Sequence, residues 1–218
     1  QFGVSIGKFE GIEDPLARIA GTTYWMDASR KYTCSAIDNK QQPSIVSAIM
    51  KYHTTEAARS LLNDGMDILG GAAITRGPKN LLAHGYIGVP IGITVEGANI
   101  LTRTLIIFGQ GLIRCHPHIK GMVDGIQDNN LKIFDKSFWS FQGHFIRNFI
   151  RTNILFFTRG WITWSPSVAG VSKKYIRKLN WISATFALYA DIALILFGGS
   201  LKMKEKIAGR YADILSYM

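Results

Sequence analysis

DPLARIAGTTYWM, residues 14–26, is the stretch that sets the fold class of this chain. Asp14 followed by Pro15 has the pattern of a helix N-cap with proline in the first helical position, where its missing N–H costs nothing. Leu16, Ile19, Ala20, Thr23 and Met26 continue a mostly apolar stripe, which predicts a helix reaching about Asn39. The polar run Asp38 to Gln42 ends at Pro43, after which Ile45, Ile49, Tyr52, Thr55 and Ala58 recur at helical spacing as far as Gly65. Two long helices joined by so short a turn are expected to pack antiparallel.

Outward from this pair, Gly70-Gly71, Gly77-Pro78 and Gly88-Val89-Pro90 punctuate a segment expected to be loop, with at most one short helix around Lys79 to His84. From Glu96 to Arg114 the pattern is helical again, with Leu101, Leu105, Phe108 and Leu112 on one side and Glu96, Arg103, Gln110 and Arg114 on another. Gly121 to Asn130 reads as a connector. Beyond Leu131 the chain turns aromatic and basic. Trp181 to Ser200 has Asp191 as its only charge and is long enough to cross roughly 30 Å of hydrocarbon. Asp191, Ser183, Thr185 and Gly198-Gly199 favour a buried bundle helix over a span, with Asp191 expected to pair with Arg177 or Lys178. No stretch alternates as a strand would, so the expected fold is all-α, a helical bundle over residues 1–120 followed by a basic, aromatic helical extension over 121–218.

Composition narrows the function classes. At 218 residues, 47% hydrophobic and 18% charged, the chain is a folded one. Its net charge of +10 is uneven, because residues 126–218 carry 13 basic and 5 acidic side chains. Such a bias suits nucleic acid, an anionic membrane surface or an anionic ligand such as CoA phosphates. Zinc-finger spacing, an aromatic RNA-binding signature and an isolated basic recognition helix are all missing, which sets nucleic acid aside in favour of membrane proximity. Cys34 and Cys115 follow no disulfide framework and are expected to be buried free thiols of a reducing compartment. Gln1-Phe2-Gly3 has no initiator Met and no signal-peptide pattern, so it reads as internal to a longer protein.

The sharpest chemical feature is Thr94-Val95-Glu96-Gly97-Ala98-Asn99, a carboxylate expected to open a helix. The positive end of the macrodipole favours its ionised form, as a general base requires, and Gly97 admits close approach of another group. An ordinary first-turn glutamate has the same pattern. Cys115-His116-Pro117-His118 holds metal-ligand types, but three donors crowded around one proline do not converge on a tetrahedral ion, and the expectation is no metal. No Gly-x-Ser-x-Gly elbow occurs. The aromatic run Phe134 to Phe157 reads as core or interface.

Gln1-Phe2-Gly3, Ile6-Gly7-Lys8-Phe9, Asp67-Ile68-Leu69-Gly70-Gly71 and Glu96-Gly97 together resemble, in order and spacing, the C-terminal half of the acyl-CoA dehydrogenases. Ala48 to Tyr52 with Glu56 to Ala58 looks like that bundle's second long helix. Thr158-Arg159-Gly160 and Gly198 to Lys202 look like the extension of the long bacterial enzymes of fatty-acid β-oxidation. The resemblance implies an FAD-dependent enzyme in which a carboxylate, matched by Glu96, removes the α-proton of a fatty acyl-CoA while the β-hydrogen leaves as hydride, giving a trans-2-enoyl-CoA. It implies acyl-CoA contact at Gly97 and flavin contacts at Gln1, Phe2, Glu10, Asp67, Gly70, Gly71, Ala98 and Ile100, with the Gly70-Gly71 loop against the FAD of a neighbouring subunit. Glu10 and Asp67 stand where many members have glutamine, and Ala98 stands where they have a hydroxyl. His84 to Gly88 replaces the usual Arg-Asp pair.

By the same resemblance the partners are fatty acyl-CoA, an electron-transfer flavoprotein and further copies of the chain. The expected location is cytoplasmic, and the basic charge of residues 126–218 adds an expected peripheral association with the inner face of the cell membrane. Residues 1–218 alone are expected to be inactive and not to retain FAD. The alternative reading is a non-catalytic, membrane-associated helical module in which Glu96 is structural.

Overall fold

The computed structural model describes residues 2–80, 82–163, 170 and 172–218, which form helices and turns without a strand among them. They divide into two compact units that meet at Thr102 and Arg103.

In the first unit a 3-10 turn, Ile6–Lys8, leads into α1 (Glu10–Asp38), and α2 (Ser44–Leu69) returns beside it. Arg18 grips Asp64 through two hydrogen bonds of 3.1 and 2.7 Å, so the helices are antiparallel, as expected from the turn between them. The first helix starts earlier than Asp14-Pro15 suggested, and Pro15 lies inside it. It is close enough to the N-terminus that the carbonyl it leaves unbonded, that of exposed Gly11, faces water.

The second helix runs through Gly65 and stops at Gly70, whose φ of +56° is the left-handed turn-off that glycine tolerates. A one-turn helix, α3 (Gly71–Ile74), follows, then α4 (Leu82–Thr94) and the short α5 (Asn99–Leu101). The Gly- and Pro-rich segment is therefore helical over Leu82–Thr94, where a loop was expected, while Gly77-Pro78 lies in a turn as expected. The reason lies in packing: a Cβ on Gly65 would come within 3.0 Å of Leu82, one on Gly85 within 3.2 Å of Leu62, and one on Gly92 within 3.6 Å of Thr55. The glycines let α4 lie close along α2. That burial outweighs their poor helix propensity and the hydrogen bond lost at Pro90.

The second unit begins within a π-helical stretch, Thr102–Gln110, and continues through α6 (Gly111–Cys115), α7 (Ile119–Gln127), α8 (Leu131–Thr158), α9 (Ser172–Phe197), a 3-10 turn (Gly198–Met203) and α10 (Glu205–Tyr217). The stretch read as a connector is the helix α7. Gly121 and Gly125 give it a bare face against α8, and a Cβ on Gly125 would come within 2.7 Å of the Phe134 backbone nitrogen.

Helices α8 and α9 are antiparallel, with Thr152 Oγ1 donating to the Ala184 carbonyl at 2.9 Å. Gly160, at φ +74°, presses against the Arg177 carbonyl, a fit only glycine allows. The core of this unit centres on Phe108, stacked on Tyr211 at 4.4 Å and edge-on to Phe186, with Arg103 held by both carboxylate oxygens of Asp213. Of the aromatic run, Phe141 is buried while Phe149, Phe156 and Phe157 are exposed. Both cysteines are free, and both are exposed rather than buried, because the described residues leave open the helix faces that carry them.

Candidate active site

Glu96 does not open a helix. The fourth helix ends at Thr94, and Glu96 and Gly97 follow at φ +56° and +91°, two successive left-handed residues in an exposed reversal before Asn99. The helix beyond starts at Asn99 and runs without a break through the π-helical stretch to Cys115, so Glu96 stands three residues before its N-terminus rather than in its first turn. The two successive left-handed residues are what mark this loop.

What holds the loop is a polar cluster on α2. The Lys51 ammonium donates to the Gly97 carbonyl, to Asn99 Oδ1 at 2.7 Å and, at the limit of hydrogen bonding, to the Ile93 carbonyl at 3.4 Å. Asn99, only 3% exposed, uses its amide nitrogen on Thr55 Oγ1 at 2.9 Å and Glu56 Oε1 at 2.8 Å. Thr55 in turn donates to the Lys51 carbonyl at 2.7 Å, and Thr102 Oγ1 donates to the Gly97 carbonyl at 3.2 Å. Every polar atom of the buried amide is thus used, as burial demands. Lys51 and Thr55 lie one helical turn apart on α2, a spacing that by itself does not point to Asn99.

The other assigned positions are scattered. Gly97, Ala98 and Ile100 share the Glu96 loop, and Ala98 and Ile100 are exposed. Asp67, Gly70 and Gly71 lie at the far end of α2, about 24 Å from Lys51 at 1.5 Å per residue. Glu10, at the start of α1, is at that same end, given the Arg18 pairing with Asp64. Phe2 is exposed with φ +52°, and Gln1 lies outside the described residues. A Cβ on either Gly70 or Gly71 would touch nothing within 4 Å, so their backbone is open to a flat ligand.

A second cluster was not foreseen. Asp191, 1% exposed, pairs with neither Arg177 nor Lys178 but accepts from His116 Nε2 at 3.0 Å and from Asn148 Nδ2 at 2.9 Å, because α9 turns this face toward α8 and the loop before α7. The same Asn148 amide lies 2.8 Å from His144 Nε2. The side chains grouped with His116, those of Asp191 and His144, thus come from distant helices rather than from its neighbours in the Cys115 to His118 motif. Ligand atoms of His116, His144 and Asp191 lie within 4.8 Å of one another, a donor set zinc would accept. The tautomer opposes it. His116 Nδ1 faces the backbone N–H groups of His118 and Ile119 at 3.2 and 3.3 Å, so the proton sits on Nε2, the atom a metal would need. Burial pushes His144 and His118 below the ordinary histidine range; for His118 the neighbouring His116 and Arg147 add to the effect, while for His144 Asp191 works against it.

Two family models match the chain. The one described as acyl-CoA dehydrogenase, C-terminal domain, matches residues 1–108, and the one described as acyl-CoA dehydrogenase, C-terminal, bacterial type, matches residues 113–218. No solved structure matches the chain.

Proposed function

The chain belongs to the acyl-CoA dehydrogenase family, carrying two of its C-terminal domains in succession, and from that premise we propose that Glu96 is the base that removes the α-proton of a fatty acyl-CoA in the full-length flavoprotein. One observation carries the assignment: the loop bearing Glu96 is exposed at its tip yet anchored at its stems by Lys51 and Asn99. A general base needs that combination of access and fixed position.

FAD, when bound, supplies the two-electron acceptor. The chain's own part is to present the carboxylate to the carbon next to the thioester carbonyl and to keep the proton it takes. The N–H of Glu96, in an exposed reversal, is available to polarise the thioester oxygen. Gly97 leaves room for the acyl-CoA beside it, and Ala98 and Ile100 present exposed surface for the flavin. Gly70 and Gly71, with Asp67, Glu10 and Phe2, serve a flavin at the opposite end of α2, and Gln1 is assigned to flavin by the family resemblance alone. In keeping with the family resemblance this flavin is the FAD of another copy, so the reading includes a homo-oligomer. Electrons leave to an electron-transfer flavoprotein in the cytoplasm. The test is Glu96→Gln in the full-length protein, which should keep its flavin and lose acyl-CoA dehydrogenation. Unchanged turnover would remove Glu96 from the reaction.

A second reading concerns the extension. Phe157 and Trp161, 79% and 69% exposed, stand beside Arg159, Lys173, Lys174 and Arg177, with the Arg177 guanidinium 4.5 Å above the Trp161 ring. Exposed aromatics among cations suit the interface of an anionic membrane. Ser172–Met203 is apolar and long enough to cross a bilayer, but the bonds to Asp191 fit a bundle helix, so docking at the surface is the form this reading takes.

A further inference from the structure

We propose that Lys51 is the positioning residue for Glu96, setting through three hydrogen bonds where the carboxylate stands; this rests on the assignment of Glu96 as the base. The three acceptors of its ammonium bracket the glutamate: Ile93 before it, Gly97 and Asn99 after it. An ammonium has three donors, and all three are spent on this loop.

The loop needs such a clamp. Glu96 is a non-glycine residue in the left-handed region, which costs roughly 1 kcal/mol or more relative to ordinary backbone, and Gly97 continues the same turn. The carbonyls of Ile93 and Gly97 are turned toward one point and have no peptide N–H closing the reversal between them. A single cation placed there satisfies both and fixes their separation. The positive charge is balanced through Asn99, whose oxygen accepts from Lys51 while its nitrogen donates to Glu56. Ammonium, amide and carboxylate form one polarised chain, with both of its charged ends on α2. The position of Glu96 is thereby referred to the long second helix rather than to the loop.

The experiment compares Lys51→Met, Lys51→Arg and Asn99→Ala with Glu96→Gln in the full-length flavoprotein. It measures flavin content, melting temperature, acyl-CoA affinity and the single-turnover rate of flavin bleaching by α-protiated and α-deuterated acyl-CoA. Lys51→Met should lower that rate about 100-fold, the effect of misplacing a reacting group by about an ångström, with flavin content and affinity near wild type and a larger α-deuterium isotope effect. Lys51→Arg, keeping charge and donors but not the point geometry, should recover all but about tenfold. Asn99→Ala should fall between them.

Loss of flavin or of melting temperature with an unchanged rate per flavin would reduce Lys51 to a scaffold residue and overturn the proposal. Should Lys51→Met fail to fold, an unaltered rate in both Lys51→Arg and Asn99→Ala would overturn it equally. Full activity of Glu96→Gln would instead remove the assignment on which the proposal rests, whatever the Lys51 variants do.

Discussion

His116 Nε2 and Asp191 Oδ1 meet at 3.0 Å although 75 residues separate them in sequence. The carboxylate is fully enclosed, and its two oxygens are taken by one donor each, from the loop before α7 and from α8. Asp191→Ala leaves His116 and Asn148 with buried polar groups and no partner. The expected loss is about 3 kcal/mol of stability, read as a lower denaturation midpoint at unchanged slope.

Acid should loosen the same region. His118 and His144 are held below the ordinary value of 6.5 by burial, so the unfolded chain binds protons more readily than the folded one. Their contribution is fully present above about 6.5 and is lost as pH falls from there toward the lowered native values. Unfolding midpoints across pH 7.5 to 4.5 should therefore decline on the acid side, and His144→Gln should flatten that part of the slope.

Two glycines separate packing from propensity. Gly125→Ala places a methyl group against the Phe134 backbone and should cost about 1–3 kcal/mol, as overpacking does. Gly143, in α8, has open space around its missing Cβ, so Gly143→Ala should stabilise by up to about 1 kcal/mol. Thermal melts of the two variants should move in opposite directions.

For the membrane reading, replacing Lys173 and Lys174 by glutamate should weaken cosedimentation of the protein with vesicles containing anionic lipid, at about 1 kcal/mol per cation removed. Binding should also fall steeply with salt. Equal binding to neutral vesicles would rule the basic face out as the anchor.

Residues 1–218 alone should not retain FAD at one flavin per chain, because the positions assigned to flavin lie open at opposite ends of α2. A purified yellow chain with one flavin each would contradict that.

Much of the fold was legible because α1 and α2 carry apolar residues at helical spacing and most of α9 is a long apolar run with a single charge. The misreadings occur where glycine was taken as a breaker. In α4 and α7 it serves as a contact surface, and nothing in a local pattern tells a glycine that ends a helix from one that lets a neighbour approach. The Glu96 loop was found by the motif, but its supports were not. Lys51, Thr55 and Glu56 look like an ordinary polar edge until α4 brings Asn99 to them. Asp191 was recognised as a buried acid, yet its partners come from residues 116 and 148, a pairing that only the three-dimensional arrangement reveals.

The π-helical stretch from Thr102 to Gln110 gives this chain a slack joint in its length. A wider turn of that kind absorbs one more residue than an α-helix between the same two ends. Removing a single residue there would tighten the coil while leaving the Glu96 loop before it and the Phe108 core around it anchored by their own bonds. Elsewhere in the long helices a deletion would swing every following side chain by a hundred degrees or so. A single-residue deletion should accordingly be tolerated in this segment and nowhere else between Asn99 and Cys115.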